Sequence, residues 1–322
     1  MNSAKWVDAG GVVHVPETVR PGQRRVVSLV PSLTETFCAI GGRPELVGCT
    51  AFCIEPHDLL KDARVAKIGG TKTVLRERVM SLNPDLLLTN LEENQLDDID
   101  WFKSRVECYC NGVKTLKDGI ASIRELGKLI SSAGVSARTN PPSSAGVSAR
   151  TSSEATTANA TAIELPGRDA RSTGLAESLA LRAEESLAAL QRTAAEQLAT
   201  SKPLRIFYAI WREPWMTINS DTFIHDHLQA CGAENVFGSN ASSRYPEVTL
   251  EAIRAAAPDV IWLPSEPYRF KEKHLADFAG CPDIPAVRNR RVELVNGDNV
   301  CWFGVRQIEG MRYTVRKLWG TA

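Results

Sequence analysis

The chain has 322 residues, of which 43% are hydrophobic and 24% charged, enough for two cored domains of ordinary globular composition. Thirty-eight basic residues offset 38 acidic ones, so no overall field gathers a polyanion or holds the chain on an anionic membrane. Nucleic acid is therefore not an expected partner. The opening MNSAKWVDAGGVVHVPETVRPGQRR lacks the unbroken apolar run of a signal peptide, and no later stretch approaches the ~20 apolar residues of a membrane span. As written, the chain reads as cytoplasmic; a misassigned start would make it periplasmic or cell-surface.

Taken in order, RVVSLV (25–30) is a β-branched strand. It is followed by Pro31 and by Ser32-Leu-Thr-Glu35, a capping-box pattern opening a helix that ends near Gly41 and Gly42. LVGCT (46–50) is a strand, VLRERVMSL (74–82) a helix, PDLLLTN (84–90) a strand buried on both faces, and VECYC (106–110) a strand before a helix at 114–130. Strands alternating with helices predict a parallel sheet wrapped by helices. Two SSAGVSART copies, at 131–139 and 143–151, begin a Ser/Thr/Ala/Gly-rich stretch to about 173 that cannot bury enough surface to offset its ordering entropy. From there Leu175, Leu179, Ala183, Leu187 and Leu190 recur at helical spacing.

A second α/β series follows: PLRIFYAIW (203–211), FIHDHLQACG (223–232), LEAIRAAAP (250–258), DVIWLP (259–264), RVELV (291–295) and a last helix near 303–319. The fold class is α/β, with two Rossmann-like lobes. The expected divisions are an N-terminal lobe at 24–130, a disordered insertion at 131–173, an interdomain helix at 174–201 and a C-terminal lobe at 202–320.

The eight cysteines (Cys38, Cys49, Cys53, Cys108, Cys110, Cys231, Cys281, Cys301) are too scattered for a disulfide framework and read as reduced thiols. Cys108 and Cys110 share a strand face without a second pair at zinc spacing, so no metal is assigned there. His225 and His227 lie two apart on a helix, about 200° around the axis, and do not chelate one ion; solvated or capping roles are expected. No hydrolase elbow, zincin or phosphate-loop signature occurs, and no catalytic residue or cofactor is assigned.

Ligands of open α/β sheets collect beyond the carboxyl ends of the strands. Pro31, Ser32, Phe52, Cys53, Thr71, Lys72, Glu92, Glu93 and Asn94 follow strands of the first half. Trp211, Arg212, Trp215, Arg244, Tyr245, Glu266, Tyr268, Cys301 and Trp302 occupy such places in the second, and Trp262 reads as core. Aromatic rings beside a few fixed polar groups suit a large, flat, partly apolar ligand.

Seven blocks in sequence, VVSLVPSLTET (26–36), VAKIGGTKTV (65–74), NPDLLLTNLEEN (83–94), IWREPWMTINSDTFIHDHLQACGAENVF (210–237), RYPEVTLEAI (244–253), DVIWLPSEPY (259–268) and WFGVR (302–306), resemble the helical-backbone, class III, substrate-binding proteins of ABC importers, the cobalamin- and siderophore-binding group. The resemblance implies two lobes joined by one long helix, with a corrin or chelate held between them. It nominates Pro31, Ser32, Phe52, Asn90, Glu93, Trp211, Trp215, Tyr245, Glu266 and Trp302 as ligand-binding residues, and Arg212 joins Glu266 as a group fixing the ligand's polar edge. Cobalamin-like corrinoid binding is the expected function, by an importer's solute-binding component or a soluble carrier; ferric-siderophore or haem binding is the alternative. A cytoplasmic enzyme acting on a corrinoid or other metal chelate, with Cys53 as metal ligand, is the rival. An importer permease is the implied partner, with Glu93 or Asp97 on one lobe and Glu272 on the other as the docking carboxylates.

Overall fold

The computed structural model describes residues 6–14, 24–131 and 168–320. A small antiparallel hairpin, β1 (Trp6–Val7) and β2 (Val13–His14), precedes the first lobe. That lobe is a parallel sheet of β3 (Val26–Ser28), β4 (Leu46–Cys49), β5 (Ala66–Lys67), β6 (Leu86–Asn90) and β7 (Glu107–Asn111) in the order β5-β4-β3-β6-β7. Its helices are α1 (Pro31–Phe37), α2 (Arg76–Ser81), α3 (Leu96–Lys103) and α4 (Leu116–Ser131). β6 reads LLLTN because all five of its residues are buried, as a central parallel strand requires.

α5 (Arg168–Thr200) leads to the second lobe. There β8 (Leu204–Tyr208), β10 (Ala233–Asn235), β12 (Val260–Pro264) and β13 (Val292–Val295) form a parallel sheet ordered β10-β8-β12-β13, and β9 (Trp215–Met216) pairs with β11 (Glu247–Val248) apart from it. α6 (Phe223–Ala230) and α7 (Leu250–Ala256) start on threonine caps, Thr222 accepting from the His225 amide at 3.3 Å and Thr249 from that of Ala252 at 3.1 Å. α8 (Pro285–Arg288), α9 (Asp298–Cys301) and α10 (Arg306–Trp319) complete the lobe. Trp262, on β12, is fully buried as core.

Two local expectations are corrected. Pro31 occupies the first helical position of α1, so the cap falls on Val30, and Ser32 lies inside the helix instead of capping it. Glu35 is consequently free of the cap and pairs with Arg306 of the other lobe. The buried stripe of α5 is made by Ala176, Ala180, Ala183, Leu187, Leu190 and Ala194, while Leu175 is exposed. Small residues prevail because α5 crosses α4 closely: a Cβ added at Gly127 would meet that of Ala176 at 2.4 Å. α5 also begins at Arg168, inside the stretch assigned to the insertion, and residues 132–167 of that stretch lie outside the described residues.

The main core is continuous. A single cluster of buried apolar side chains runs from Val26 and Leu33 of the first lobe through Ala180 and Leu187 of α5 to Tyr208, Leu228 and Met311 of the second. A smaller cluster around Phe207, Ile253, Leu263 and Phe278 belongs to the second lobe alone. Filling the α4–α5 crossing by Gly127→Val should cost about 1–3 kcal/mol of unfolding free energy in a denaturant titration. Unchanged or increased stability would show that the two helices pack less closely than described.

The hairpin is fastened electrostatically. His14, almost fully buried, sits between Asp8 at 3.0 Å and Glu107 at 3.2 Å, and Asp8 also accepts the Cys110 amide of the edge strand β7 at 2.7 Å. Burial alone would pull the imidazole down, but the two carboxylates outweigh it and raise its pKa from 6.5 to about 9. A raised pKa means that the attachment is fully stabilised below 6.5 and loosens as pH rises through about 9. Amide exchange at Cys110, corrected for its intrinsic pH dependence, should lose protection across that interval, and His14→Gln should abolish the dependence. Constant protection in the wild type would refute this attachment.

Candidate functional site

The cleft lies between the carboxyl ends of the two sheets, and its floor is a direct junction of the lobes. There the Thr36 hydroxyl donates to Ser32 O at 2.8 Å and accepts from the Val305 amide at 3.2 Å. A Cβ at Gly304, whose φ is +72°, would meet that hydroxyl oxygen at 2.2 Å, so glycine is needed for both conformation and space. Arg306 reaches across to Glu35 at 2.8 Å and Glu55 at 3.2 Å. Further along, Lys114 pairs with Asp221 at 2.8 Å, and Asp226 accepts the Leu116 amide at 2.7 Å. At the rim Arg244 joins Glu92 of the first lobe, at 3.3 Å, to the Asp221 carbonyl of its own.

Two glutamates face each other across this space. On β6, Asn90 is buried and its amide oxygen accepts the amides of Glu92 at 2.7 Å and Glu93 at 3.0 Å. Its nitrogen donates to Asn111 at 2.8 Å, so Asn90 positions Glu93 and keeps little capacity for a ligand. In the second lobe Glu266 accepts from the Trp302 indole and from the Cys301 thiol, the latter at 3.0 Å. Gly297 packs on the Glu266 backbone so closely that a Cβ there would lie 2.8 Å from both its N and its O.

Burial, followed by the charges of Glu266 and Glu92, raises Glu93 to about 8 against the opposing pull of Lys72. Burial and then Asp298 raise Glu266 to about 7, opposed by the Cys301 and Trp302 hydrogen bonds. Lys72 donates to the carbonyl of Glu92 at 2.5 Å and of Asn94 at 3.4 Å. Carboxylates thus outnumber the cations available to them, because Arg306 is engaged by Glu35 and Glu55.

The aromatics nominated from sequence separate into two groups. Phe52 stands exposed on the first-lobe rim, close over Gly70; Trp211 is 44% exposed and meets Tyr268 edge-on at 5.2 Å; Tyr245 is half-buried beneath the Arg244 guanidinium; and Trp302 is buried beside Glu266. Trp215 is a correction. It stacks on Phe270 at 5.9 Å with a 3° tilt and packs on Phe207 and Phe278, half-buried against the second lobe's own core cluster.

Arg212 is likewise bound elsewhere, to Asp277 at 2.7 Å and to Glu213, and with Trp215, Pro214 and Val248 it lines a separate hollow of about 400 Å³ that no first-lobe residue enters. Cys53 is fully buried, with Thr34 and Thr50 hydroxyls at 3.0 and 3.2 Å, so it cannot reach a metal in the cleft. Pro31 and Ser32 are buried at the floor, where the Ser32 hydroxyl has no partner. His227 is buried, not solvated or capping, and is held neutral: burial lowers it to about 4, while its ring contacts Val300 O at 3.1 Å. Glu93 faces the cleft, unlike exposed Asp97 and Glu272.

Sequence reasoning overlooked Asp298 and Arg306. The signal was present in the WFGVR block, where an arginine follows a glycine-containing turn directly into the last helix, although its partners Glu35 and Glu55 are far away in the chain.

A cleft lined by aromatics and carboxylates, on lobes fused through one core, with no cluster of metal ligands among the described residues, defines a solute-binding protein of two α/β lobes. Residues 26–297 match the periplasmic binding protein family, and the chain belongs to it. The vitamin B12-binding protein of Vibrio parahaemolyticus is 25% identical over 281 residues, covering 85% of this chain and 82% of that protein. The fold is shared with the periplasmic vitamin B12 binding protein of Vibrio cholerae, with a TM-score of 0.68 and 19% identity over 92% of this chain and 96% of that one. A periplasmic haem-binding protein of Pseudomonas aeruginosa gives 0.70 and 17%, over 93% and 94%. These relatives are solute-binding proteins, not enzymes, and the expected cytoplasmic location gains no support from them. No helix among the described residues is long and apolar enough to cross a membrane.

The raised Glu93 carries a stability consequence. A carboxyl whose pKa moves from 4.5 to about 8 on folding leaves the folded state holding the extra proton between those values, so stability falls as pH rises through that interval. Glu93→Gln should flatten that fall in thermal melts of the ligand-free protein; an unchanged slope would place the glutamate in solvent.

Proposed function

We propose that this chain is the solute-binding component of an ABC-type importer, working outside the cytoplasmic membrane, and that its cleft takes a cobalamin-like corrinoid. The family and the named relatives support the first part. The second is carried by one observation, the pair of glutamates, Glu93 and Glu266, opposed across the cleft. A ligand seated between them is favoured if it brings hydrogen-bond donors or positive charge, and opposed if it brings anionic groups to a water-poor site.

A corrinoid presents a ring edge of neutral carboxamides around a cationic Co(III) centre, so its amide N–H groups can donate to Glu93 and Glu266. Haem carries two propionates and a ferric catecholate carries net negative charge. Both would need free cations, yet Arg306 and Arg244 are paired with carboxylates, and Lys72 is held by the Glu92 and Asn94 carbonyls beside Glu93. Phe52, Trp211, Tyr245 and Trp302 supply ring area at low entropic cost, and the fused core limits the closure that binding must drive. Asp97 and Glu272, exposed on separate lobes, are the docking carboxylates that this reading retains for the permease.

Isothermal titration at pH 8.5, where both glutamates are ionised, with cyanocobalamin, haemin and a ferric catecholate tests the assignment. Cobalamin should bind with a Kd of about 1 μM or tighter, the two anionic ligands at least about tenfold more weakly, and Trp211→Ala should weaken cobalamin by about tenfold. The double change Glu93→Gln, Glu266→Gln should narrow the preference. Haemin or the catecholate binding more tightly than cobalamin would overturn the corrinoid assignment while leaving the solute-binding role intact.

A further inference from the structure

The turn that presents Phe52 is built over two thiols for which solute binding has no use. Cys49 ends β4 and Cys53 follows four residues later; both are fully buried, while Ala51 and Phe52 between them are exposed. The Cys53 amide donates to Thr50 O at 3.2 Å, which folds the second cysteine back toward the first, and the Thr50 hydroxyl, next in the chain to Cys49, lies 3.2 Å from Cys53 Sγ. Buried cysteines in apolar surroundings are ordinarily inert. These surroundings are polar. The Lys67 ammonium donates to Cys49 Sγ at 3.3 Å, to Thr50 O at 3.3 Å and to Cys53 O at 3.2 Å. Thr34 and Thr50 hydroxyls contact Cys53 Sγ at 3.0 and 3.2 Å.

The environment differentiates the pair. The hydrogen bond from Cys53, opposed by burial and reinforced by Lys67 and Arg43, brings Cys49 down to about 7. Burial, followed by Cys49 itself, pushes Cys53 well above the ordinary thiol range. Cys38, the other nearby thiol, is raised by burial to about 11 and stays protonated beside Arg43. A thiolate next to a protonated thiol, with a fixed ammonium on the nucleophile, is the arrangement by which dithiols enter exchange with an external disulfide.

We propose that Cys49 and Cys53 are a redox-active pair that closes into a reversible disulfide, stapling the turn that carries Phe52. The oxidant is a disulfide, either of a small thiol or of a protein. The Cys49 thiolate attacks one of its sulfurs, the external S–S bond breaks, and one half leaves as thiolate. Cys53 then gives its proton to that thiolate through solvent and attacks the Cys49 sulfur, releasing the second half. The two protein sulfurs are oxidised and one external disulfide is reduced; the Cys53 proton ends on the first released thiol, and the second takes from solvent the proton that Cys49 gave up on ionising. Access requires local opening of the turn, which the Ala51 amide fastens to Gly69 O at 2.8 Å, at the end of β4 where Cys49 sits. With so short a loop enclosed, the staple removes little chain entropy, and its effect is confined to the turn.

The experiment uses the full chain without any ligand, so it stands or falls separately from the corrinoid assignment. The protein is equilibrated in glutathione/glutathione disulfide buffers, acid-quenched, denatured, alkylated and peptide-mapped. Cys49 and Cys53 should lose alkylation together, with the mass of two hydrogens removed, and regain it on reduction. Cys53→Ser should instead accumulate a glutathione adduct at Cys49. The oxidation rate of the wild type should rise with pH around a midpoint near 7, and Lys67→Met should move that midpoint up by about one pH unit, a shift that a purely structural lysine would not produce. Persistent double alkylation under oxidising buffer, or pairing of Cys49 with Cys38, would overturn the proposal.

Discussion

The arrangement of the cleft depends on the place where the last helix meets the first. Thr36 of α1 receives the Val305 amide and fits against Gly304, while Arg306, one residue on, is clasped by Glu35 and Glu55. These contacts join residues far apart in the chain and fix the spacing of the two sheets before any ligand arrives. The continuous core beneath them, with α5 running about 50 Å along both lobes, makes separation of the lobes expensive in exposed apolar area. A cleft with a predetermined width selects ligands by thickness and edge chemistry more than by induced closure.

That edge chemistry follows from what each charged group already holds. Arg212, Arg244 and Arg306 are committed to carboxylates, whereas Glu93 and Glu266 confront one another with hydrogen-bond donors on one side only. Asn90 and Gly297 are the supports: the first turns the β6 loop so that Glu93 points inward, and the second lets the loop after β13 lie against Glu266. The Trp302 indole, donated to Glu266, shows that an aromatic in such a cleft can serve as a hydrogen-bond anchor as well as a surface.

Most of the architecture was legible because strands and helices alternate with strong local signals. The runs at 84–90 and 259–264 became the central strands β6 and β12, and the expected long helix between the lobes became α5. Errors arose where tertiary contacts overrode a local pattern. Ala183, Leu187 and Leu190 of α5 face the core as their spacing indicated, but in its first turns the buried positions are Ala176 and Ala180 instead of Leu175 and Leu179, since the close approach at Gly127 admits alanine, and Pro31 displaced the capping box. In the site, position beyond a strand end drew attention to Glu93, Glu266 and Trp302, which lie close to one another in the structure. It could not separate them from Trp215 and Arg212, whose direction is set by β9 pairing with β11 and by Asp277, some 60 residues away. Arg306 stood in a recognisable block, WFGVR, but its role was not legible there because its partners, Glu35 and Glu55, come from the other lobe.

The hairpin at the start of the chain has a bearing on how the protein can be handled. β7 is the outermost strand of its sheet, and the Cys110 amide on it is satisfied by the carboxylate of Asp8. The region matching the family begins only at residue 26. Starting the chain at residue 26, with its C-terminal end kept, would remove the hairpin while leaving every residue of the cleft, and would uncover the edge strand with an unanswered amide. Such a shortened protein would keep its solute-binding residues yet gain an edge open to strand addition, so self-association would set the concentration at which it could be used.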